Sequence, residues 1–471
     1  MKPGRLPVER QRWKYVACDW LTTATAFLIF NICRGFILND YSEVMEFVFS
    51  KKLIIENAVI PFCALGIYWL SGYYNLPFGK SRLQELVTTL FSGLIISTGI
   101  YLVLLINDGT GDRKINYELI GILIGLFFLI PYTGRCLITN HAMDLFREHR
   151  LEFRTLIAGN SEMSRRIAAR LNKGPVRIGS RVIGFVSIPG EENVDDGERV
   201  YQLDEVEEVC RREDIDQIVI ASDLYNEQRV LLLLYKLFHL DIPIKIAPDT
   251  FSYVTSSIRL SDIFGEPFVD LTTPSLSEAS KNVKRMMDVV VSVATLLILS
   301  PLYGVLALLV KRSSPGPVFY RQERIGLKQR PFMIYKFRTM RTDAEADGPR
   351  LSVEDDPRIT RIGRTLRKYR LDELPQFWNV LKGDMSIVGP RPERAYFIEQ
   401  IMKEAPYYAL VYQVRPGITS WGMVKYGYAS NVAQMVERTR YDLIYMSNMS
   451  LFVDLKILIY TVKTVVTGRG L

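Results

Sequence analysis

The chain has 471 residues, a formal net charge of +8 and 48% hydrophobic residues. This length allows about two or three domains, and the positive charge indicates anionic partners such as phospholipid headgroups, a lipid phosphate or a nucleotide. The last cysteine is Cys210 and the last histidine is His239. The five cysteines do not indicate a disulfide framework, and the absence of His and Cys from the C-terminal part excludes most serine-, cysteine- and zinc-type mechanisms there.

Four apolar runs near the N-terminus each reach about 20 residues, the length that crosses a bilayer. No small-residue cleavage site follows the first run, so we expect an anchor and not a removed signal peptide. Basic residues precede the first run, join the second to the third and follow the fourth, and the positive-inside rule therefore predicts that both ends of this bundle are cytoplasmic. The predicted spans are Tyr15–Leu38, Leu53–Tyr73, Leu86–Ile106 and Tyr117–Ile138.

Three charged residues, Asp19, Arg34 and Glu56, fall in or near these spans. Intramembrane charges often have a function. Because all three lie near a predicted end, we expect them to be anchors that reach toward the interface.

From Phe153 the pattern changes to short β-rich runs that alternate with helical ones, which predicts a small Rossmann-like α/β domain with a parallel sheet. The predicted strands are Phe153–Ala158, Arg181–Ser187, Gln217–Ala221 and Pro243–Ala247, and the predicted helices are Glu162–Asn172, Leu203–Arg212 and Glu227–His239.

The position of a dinucleotide fingerprint contains only its first glycine, Gly159. Ser161 stands where the second glycine lets a pyrophosphate approach the backbone, and Glu162 would repel a phosphate at the helix N-terminus. We therefore expect a scaffolding or regulatory domain without bound NAD.

A further apolar run, Met286–Val310, is long enough to cross the membrane. A fifth crossing is one interpretation. However, basic residues flank both ends, and Ser300-Pro301 interrupts the middle, where proline removes a helical hydrogen bond and the serine hydroxyl satisfies a freed carbonyl. We therefore predict a re-entrant helix that enters one leaflet and returns.

Basic residues outnumber acidic ones from Lys311 onward, yet no helix-turn-helix, zinc-finger or RNP pattern points to nucleic acid. Within this basic region, Asp372 and Glu373 are adjacent and surrounded by arginines. Pro375 is suited to the first turn of a helix that runs through Leu381, so the two acids alone are equally consistent with a helix cap.

This region contains six sequence blocks in order: Lys336–Met340, Asp356–Gly363, Leu371–Gln376, Asn379–Ser386, Gly389–Pro392 and Arg415–Ile418. Together they closely resemble the bacterial sugar transferase family, the monotopic phosphoglycosyl transferases. The preceding helices and α/β domain resemble its large subclass, typified by undecaprenyl-phosphate glucose phosphotransferases.

The resemblance implies transfer of a sugar 1-phosphate from a UDP-sugar to undecaprenyl phosphate through a covalent enzyme intermediate, with release of UMP. Asp372 matches the family's nucleophile and Glu373 its Mg²⁺-binding carboxylate, and the Ser300-Pro301 break matches its re-entrant helix. The candidates for substrate-phosphate binding are Arg370, Arg391, Arg415, Lys336 and Arg338.

The predicted architecture is a four-helix transmembrane bundle (residues 1–145), the Rossmann-like α/β domain (146–265), a linker (266–280) and a mainly helical monotopic catalytic domain (281–471) with its re-entrant helix (286–310). We expect a bacterial inner-membrane enzyme that faces the cytoplasm and begins exopolysaccharide, capsule or O-antigen synthesis. Glucose or galactose is the expected sugar, and a homodimer is one option. The rival functions are a non-catalytic membrane scaffold and a nucleotide-sugar-modifying oxidoreductase, although the latter needs an intact glycine fingerprint.

Overall fold

The computed structural model describes residues 7–38, 48–78, 80, 82–105, 113–148, 150–173, 179–191, 194–195, 197–221, 227–247, 269–270, 276–344, 348 and 356–467. By their internal contacts, these residues belong to two units: residues 1–152 with 277–283, and residues 153–276 with 284–471. Much of the predicted linker at 266–280 lies outside the described residues.

The first unit contains the four predicted apolar helices, each long and apolar enough to cross a membrane. The third continues as a π-helical turn, Tyr101–Leu105. Aromatic and aliphatic side chains, among them Phe27, Phe30, Leu123 and Phe127, are fully buried between the helices. The helices are α1 (Val8–Leu38), α2 (Lys51–Leu70), α3 (Arg82–Ile100) and α4 (Arg113–Arg147).

Asp19 is not an interfacial anchor, so that expectation was wrong. Its side chain is 0% exposed and forms an ion pair with Arg135, also 0% exposed, at 2.7 Å. Arg135 donates from Nε and Nη2 to the two carboxylate oxygens, and from Nη1 to the Thr89 hydroxyl. A second carboxylate, Glu85, accepts hydrogen bonds from Tyr73 and Thr139. The bundle is therefore tied together by a buried polar network as well as by apolar packing.

The second unit begins with a six-stranded sheet in the order β3-β2-β1-β4-β5-β6. All neighbouring pairs are parallel except β5–β6. The four predicted strands are confirmed, whereas the short edge strands β3 and β6 were not foreseen. The strands are β1 (Phe153–Ala158), β2 (Ser180–Ser187), β3 (Val200–Gln202), β4 (Gln217–Ile220), β5 (Ile244–Ile246) and β6 (Val269–Asp270), and the helices between them are α5 (Glu162–Lys173), α6 (Val206–Arg212) and α7 (Glu227–Leu237).

The turn after β1 is occupied by the protein's own side chains. Gly159 has φ +133°, and a Cβ there would collide with the Ala221 carbonyl, so only glycine fits. The amide of Asn160 donates to the Glu191 carboxylate at 2.9 Å. An internal carboxylate thus binds the first amide of the turn.

The run 286–310 forms two helices, α8 (Glu278–Ile298) and α9 (Ser300–Ser313), which meet at a bend of 64°. The break lies at the predicted Ser300-Pro301, and the Ser300 hydroxyl donates to the Leu297 carbonyl at 2.8 Å. Proline thus begins a new helix here, as its fixed φ favours.

The remaining elements surround an antiparallel hairpin, β7–β8, and a two-stranded parallel sheet, β9–β10. They are β7 (Phe319–Ile325), β8 (Pro331–Phe337), α10 (Arg361–Lys368), α11 (Gln376–Lys382), β9 (Ser386–Val388), α12 (Ala395–Glu404), β10 (Gly417–Thr419), α13 (Trp421–Lys425), α14 (Val432–Ser447) and α15 (Leu451–Val466).

Three hydrogen-bonded side chains of α8 fix it to this part of the second unit. Lys284 forms an ion pair with Asp454 at 2.6 Å. Arg285 donates to the carbonyl of Val380 at the end of α11. Asp288 accepts from the Ser386 hydroxyl and the Ile387 amide in β9. The first arm of the bent helix pair is therefore bonded to α11, β9 and α15.

The Asp19–Arg135 pair provides a stability test. We expect Asp19→Asn to destabilise the protein by about 3 kcal/mol or more, because it leaves a buried guanidinium without its counter-ion. Unfolding by denaturant in detergent micelles measures this change. Asp144→Asn is the matched control, since Asp144 pairs with Arg147 on the exposed surface and such pairs contribute little. Equal effects of the two substitutions would contradict the expectation.

Candidate active site

The two adjacent acids lie on a short 3-10 turn, Leu371–Glu373, between α10 and α11. Arg370 precedes the turn with φ 52°, a left-handed conformation that reverses the chain direction. Pro375 directly precedes α11, as predicted. No side-chain cap hydrogen bond forms at the start of either element, so capping does not account for the acids.

Apolar side chains on both sides of the acids anchor the turn to α9. Leu371 and Leu374 pack with a buried cluster that includes Leu306 and Val310 of α9. The Tyr303 hydroxyl of the same helix donates to the Leu374 carbonyl at 2.7 Å. The position of the acids is thus set by the second arm of the bent pair.

Asn379 fixes α11 against the hairpin. It is 0% exposed, accepts from the Tyr335 amide at 3.1 Å and donates to the Met333 carbonyl at 2.7 Å. An asparagine satisfies both backbone groups at once because its amide carries a donor and an acceptor. This bond pair keeps β8, and with it Lys336, beside the acidic turn.

Three cations surround the Glu373 carboxylate. Lys336 lies 2.9 Å from Oε1, Arg391 lies 3.4 Å from the same oxygen, and Arg370 lies 3.4 Å from Oε2. Burial alone would raise the pKa of Glu373, but Lys336, Arg391 and Arg370 outweigh burial and hold that pKa below its usual range. Glu373 is therefore ionised at neutral pH.

Asp372 has different surroundings. It is 7% exposed and accepts no hydrogen bond from the residues that the structure describes. Burial, reinforced by the neighbouring Glu373 charge and opposed by Lys336, raises the pKa of Asp372 to about 6. Its carboxylate remains mostly charged at neutral pH, is poorly solvated and has free lone pairs, which suits a nucleophile.

Asp372 lines a cavity of about 720 Å³ whose walls are strongly basic. Of the predicted phosphate-binding residues, Lys336, Arg338 and Arg391 also line it. Arg367, Arg394 and Tyr428 are lining residues that sequence reasoning did not single out. A basic cavity around one nucleophilic carboxylate is suited to a phosphorylated, anionic substrate.

One wall of the cavity contains a buried ion triad that was also missed. Glu393 pairs with Arg324 at 3.2 Å and with Arg438 at 2.5 Å. Glu393 follows the predicted Gly389–Pro392 block, so its closeness to that block was the available signal. Arg438 lies on α14, far along the chain, and no local pattern identifies it.

Arg338 lines the cavity, whereas Arg415 does not. Arg415 donates to the Gly383 carbonyl at 3.0 Å and is not part of the cavity wall. Arg338 does line the cavity, but its Nη2 donates to the Ser314 carbonyl at 2.6 Å, just beyond the end of α9. The structure therefore brings Lys336, Arg370 and Arg391 to Glu373, while Arg415 stays apart.

The acidic pair fits the predicted Mg²⁺ better than it would fit a zinc ion. Among the described residues, no group of three or more His, Cys, Asp or Glu side chains could hold a metal. Magnesium commonly binds one or two carboxylates and completes its shell with water and substrate phosphate oxygens. Glu373, with Asp372 adjacent, offers this donor set.

Comparison with known proteins gives the context of this site. The family model described as "Bacterial sugar transferase" matches residues 279–468. A UDP-N-acetylgalactosamine-undecaprenyl-phosphate N-acetylgalactosaminephosphotransferase of Aeromonas hydrophila is 44% identical over 188 residues, which are 40% of this chain and 44% of that protein. A UDP-glucose:undecaprenyl-phosphate glucose-1-phosphate transferase of Escherichia coli (strain K12) is 35% identical over 287 residues, 60% of this chain and 62% of that protein.

A third relative, the exopolysaccharide production protein PSS of Rhizobium leguminosarum bv. phaseoli, is 39% identical over 197 residues. The chain spans between 44% and 65% of the length of the first four curated relatives it matches. It covers 97% of the Rhizobium protein. Residues 279–468, which the family model matches, include every cavity-lining residue named above. The chain belongs to the bacterial sugar transferase family.

Proposed function

We propose that this protein transfers a hexose 1-phosphate from a UDP-sugar, UDP-glucose or UDP-galactose, to undecaprenyl phosphate. The observation that carries the proposal is the buried Asp372 carboxylate on the wall of a basic cavity, beside a Glu373 that three cations surround. The printed names of the relatives, which describe glucose and N-acetylgalactosamine phosphotransferases that act on undecaprenyl phosphate, support the same reaction.

The reaction has two steps. First, an Asp372 carboxylate oxygen attacks the sugar-linked phosphorus, and the bond from that phosphorus to the bridging oxygen breaks, so that UMP leaves with the electron pair. Next, an oxygen of undecaprenyl phosphate attacks the same phosphorus, and the bond to Asp372 breaks and restores the carboxylate. The main obstacle is the repulsion between a carboxylate and an anionic diphosphate. Lys336 and Arg391 reduce this repulsion because their charges lie beside the acids.

Glu373, together with Asp372, would hold the Mg²⁺ ion. When bound, Mg²⁺ supplies charge neutralisation at the phosphate oxygens. Arg370, Lys336 and Arg391 keep Glu373 ionised and ready to bind a cation. Because Lys336 and Arg391 also line the cavity, they are the candidates for direct contact with the donor phosphates.

The proposed membrane topology rests on the α8–α9 pair. The α8–α9 pair is bent by 64° at Ser300-Pro301, and both of its flanks are basic. We propose that it is a re-entrant helix and that the active site faces the cytoplasm of a bacterial inner membrane, where nucleotide sugars are found. The reaction would then begin exopolysaccharide, capsule or O-antigen synthesis.

We propose that the α/β domain, whose sheet is parallel except at β6, is Rossmann-like and has a scaffolding or regulatory role without a dinucleotide. The Glu191 carboxylate binds the Asn160 amide, where a cofactor phosphate would otherwise bind. A homodimer through this domain stays a prediction.

The function is tested by UMP release from purified protein with undecaprenyl phosphate, Mg²⁺ and a panel of UDP-sugars. UDP-glucose or UDP-galactose should give the highest kcat/KM, with UDP-N-acetylgalactosamine as the alternative that a relative suggests. Absence of UMP release with every sugar would favour the non-catalytic scaffold.

Asp372→Asn should reduce turnover by about a thousandfold or more, because an amide is a poor nucleophile at phosphorus. Rapid-quench mass spectrometry should find a hexose-phosphate adduct on the unmodified protein and none on the variant. Asp144→Asn is the matched control, since Asp144 pairs with Arg147 on the exposed surface and should leave the adduct intact. Normal turnover by the Asp372 variant would remove it as the nucleophile.

Glu373→Gln should raise the Mg²⁺ concentration that gives half-maximal activity by about tenfold or more, because the substitution removes a charged metal ligand. A Mg²⁺ titration of UMP release measures this shift. Glu437→Gln changes a carboxylate that pairs with Arg440 on the surface and should behave like the unmodified protein. An unchanged Mg²⁺ midpoint in the Glu373 variant would show that this residue does not hold the metal.

Arg391→Gln and Arg415→Gln compare two of the four predicted phosphate-binding arginines. Arg391 lines the cavity and pairs with Glu373, whereas Arg415 binds a backbone carbonyl away from it. We expect kcat/KM for the UDP-sugar to fall by about ten- to a hundredfold for Arg391→Gln and much less for Arg415→Gln. Steady-state kinetics at saturating acceptor measure both values. A larger loss of kcat/KM from Arg415→Gln than from Arg391→Gln would indicate that Arg415 contacts the donor phosphates.

A further inference from the structure

Tyr428 lines the cavity, and no step of the reaction described above uses it. The residue is 40% exposed, so part of its surface is open to a ligand in the cavity. Within the part of the chain that the structure describes, its hydroxyl forms no hydrogen bond. A hydroxyl group is normally paired with protein, water or a ligand. Tyr428 therefore offers an unpaired hydroxyl to a molecule that binds in the cavity.

The chain is fixed on both sides of Tyr428. Gly427 follows the end of α13 with φ +94°, and its amide donates to the Gly422 carbonyl at 3.2 Å. A glycine in this left-handed conformation commonly ends a helix. On the other side, Ala429 is 3% exposed and belongs to the apolar core of the second unit. The position of the tyrosine is thus set by a helix end and a buried neighbour.

Arg391 contacts both Tyr428 and the acidic turn. The central carbon of its guanidinium lies 5.8 Å from the centroid of the Tyr428 ring. At this distance a cation and an aromatic ring still attract each other. The same guanidinium lies 3.4 Å from the Glu373 carboxylate through Nη1. Tyr428 is therefore separated from the acidic turn by a single arginine side chain.

The surroundings of the Tyr428 hydroxyl are positively charged. Burial alone would raise the pKa of Tyr428, but the charges of Arg391, Lys336 and Arg367 outweigh burial and lower that pKa. All three cations also line the cavity. The hydroxyl therefore faces the same region of the cavity as the cations that accompany the acidic pair.

Three parts of a UDP-sugar could accept a hydrogen bond from this hydroxyl: a uracil carbonyl, a sugar hydroxyl and a phosphate oxygen. Of the three, only the phosphate carries a negative charge, so the surrounding cations attract it most strongly. Hydrogen bonds to a charged oxygen are also stronger than those between neutral groups. The diphosphate is therefore the part of the donor that suits Tyr428 best.

We propose that the Tyr428 hydroxyl donates a hydrogen bond to a diphosphate oxygen of the bound UDP-sugar, beside Arg391 and Glu373. This inference rests on the proposed function. The hydrogen bond helps to hold the diphosphate in place while Asp372 attacks the sugar-linked phosphorus. Tyr428 is a binding residue for the donor; it forms no covalent bond and transfers no proton.

Equilibrium binding tests this proposal without turnover. UDP-glucose, UDP and uridine are titrated into the full chain in nanodiscs, with Mg²⁺ and without acceptor. The chain carries Asp372→Asn throughout, so that the donor is not consumed. Tyr428→Phe keeps the ring beside Arg391 and removes only the hydroxyl. We expect it to raise the Kd of UDP-glucose and of UDP by about ten- to a hundredfold, and to leave the Kd of uridine, which has no phosphate, unchanged.

Tyr426→Phe is the matched control, because it removes a hydroxyl two positions earlier on the same segment. Tyr426 does not line the cavity, and its ring lies against that of Tyr441 at 6.2 Å between centroids. The control should leave all three Kd values unchanged. Thermal unfolding in the same nanodiscs checks that each variant is folded, and an unchanged Kd for uridine shows that the binding site itself is intact.

The three ligands separate the possible contacts. An unchanged Kd for UDP-glucose and UDP in Tyr428→Phe would overturn the proposal. A loss with UDP-glucose but not with UDP would assign the hydroxyl to the sugar, and a loss with uridine would assign it to the nucleoside; either result would overturn the phosphate contact. These results leave the proposed function in place, since that function fails only if the unmodified protein releases no UMP. Failure of the unmodified protein to bind both UDP-glucose and UDP would overturn both proposals.

Discussion

The arrangement on which this site depends is the group of three cations around the buried Glu373 carboxylate. Lys336 comes from the hairpin, Arg370 from the turn itself and Arg391 from the segment after β9. A buried carboxylate without such partners would take up a proton, because burial disfavours the charged form. Three parts of the chain must therefore come together before the turn can keep its negative charge.

The neighbouring carboxylate, Asp372, has different surroundings from Glu373, and this difference affects its reactivity. Asp372 has no hydrogen-bond partner among the described residues, and its pKa is raised to about 6, mainly by burial. A more basic, less solvated carboxylate is a better nucleophile than one held by several donors. One acid of the pair is thus suited to holding a cation and the other to attacking phosphorus.

The bent helix pair determines where these acids lie. α9 supplies the apolar side chains that pack against Leu371 and Leu374, and its Tyr303 binds the carbonyl of Leu374. α8 is bonded to the ends of α11 and β9 through Arg285 and Asp288. Because both arms hold elements next to the acidic turn, a change in the angle at Ser300-Pro301 would move the nucleophile as well.

Much of the fold could be predicted because it depends on local pattern. The length of the apolar runs predicted the four helices, and the alternation of β-rich and helical segments predicted four of the six strands. Ser300-Pro301 predicted the break between α8 and α9. The ion pair of Asp19 with Arg135 could not be predicted in the same way, since 116 positions separate the two residues and each alone resembles an interfacial anchor. The motif blocks predicted a site with Asp372, Glu373 and Arg391, and the structure places Arg391 beside Glu373. The blocks could not show that Arg415 would bind a backbone carbonyl.

The excess of cations in the cavity is consistent with the proposed anionic substrates and does not contribute to the stability of the protein. Glu373 and Glu393 balance some of the arginines and lysines on the wall, while Arg321, Arg338 and Arg341 form no ion pair with a carboxylate among the described residues. Concentrating like charges in a buried space destabilises a fold unless anions join them. A diphosphate donor and a monophosphate acceptor would bring such anions, so the unbalanced charge corresponds to ligands that arrive with the reaction. The charges of the cavity wall would thus be balanced only when anionic ligands of this kind are bound.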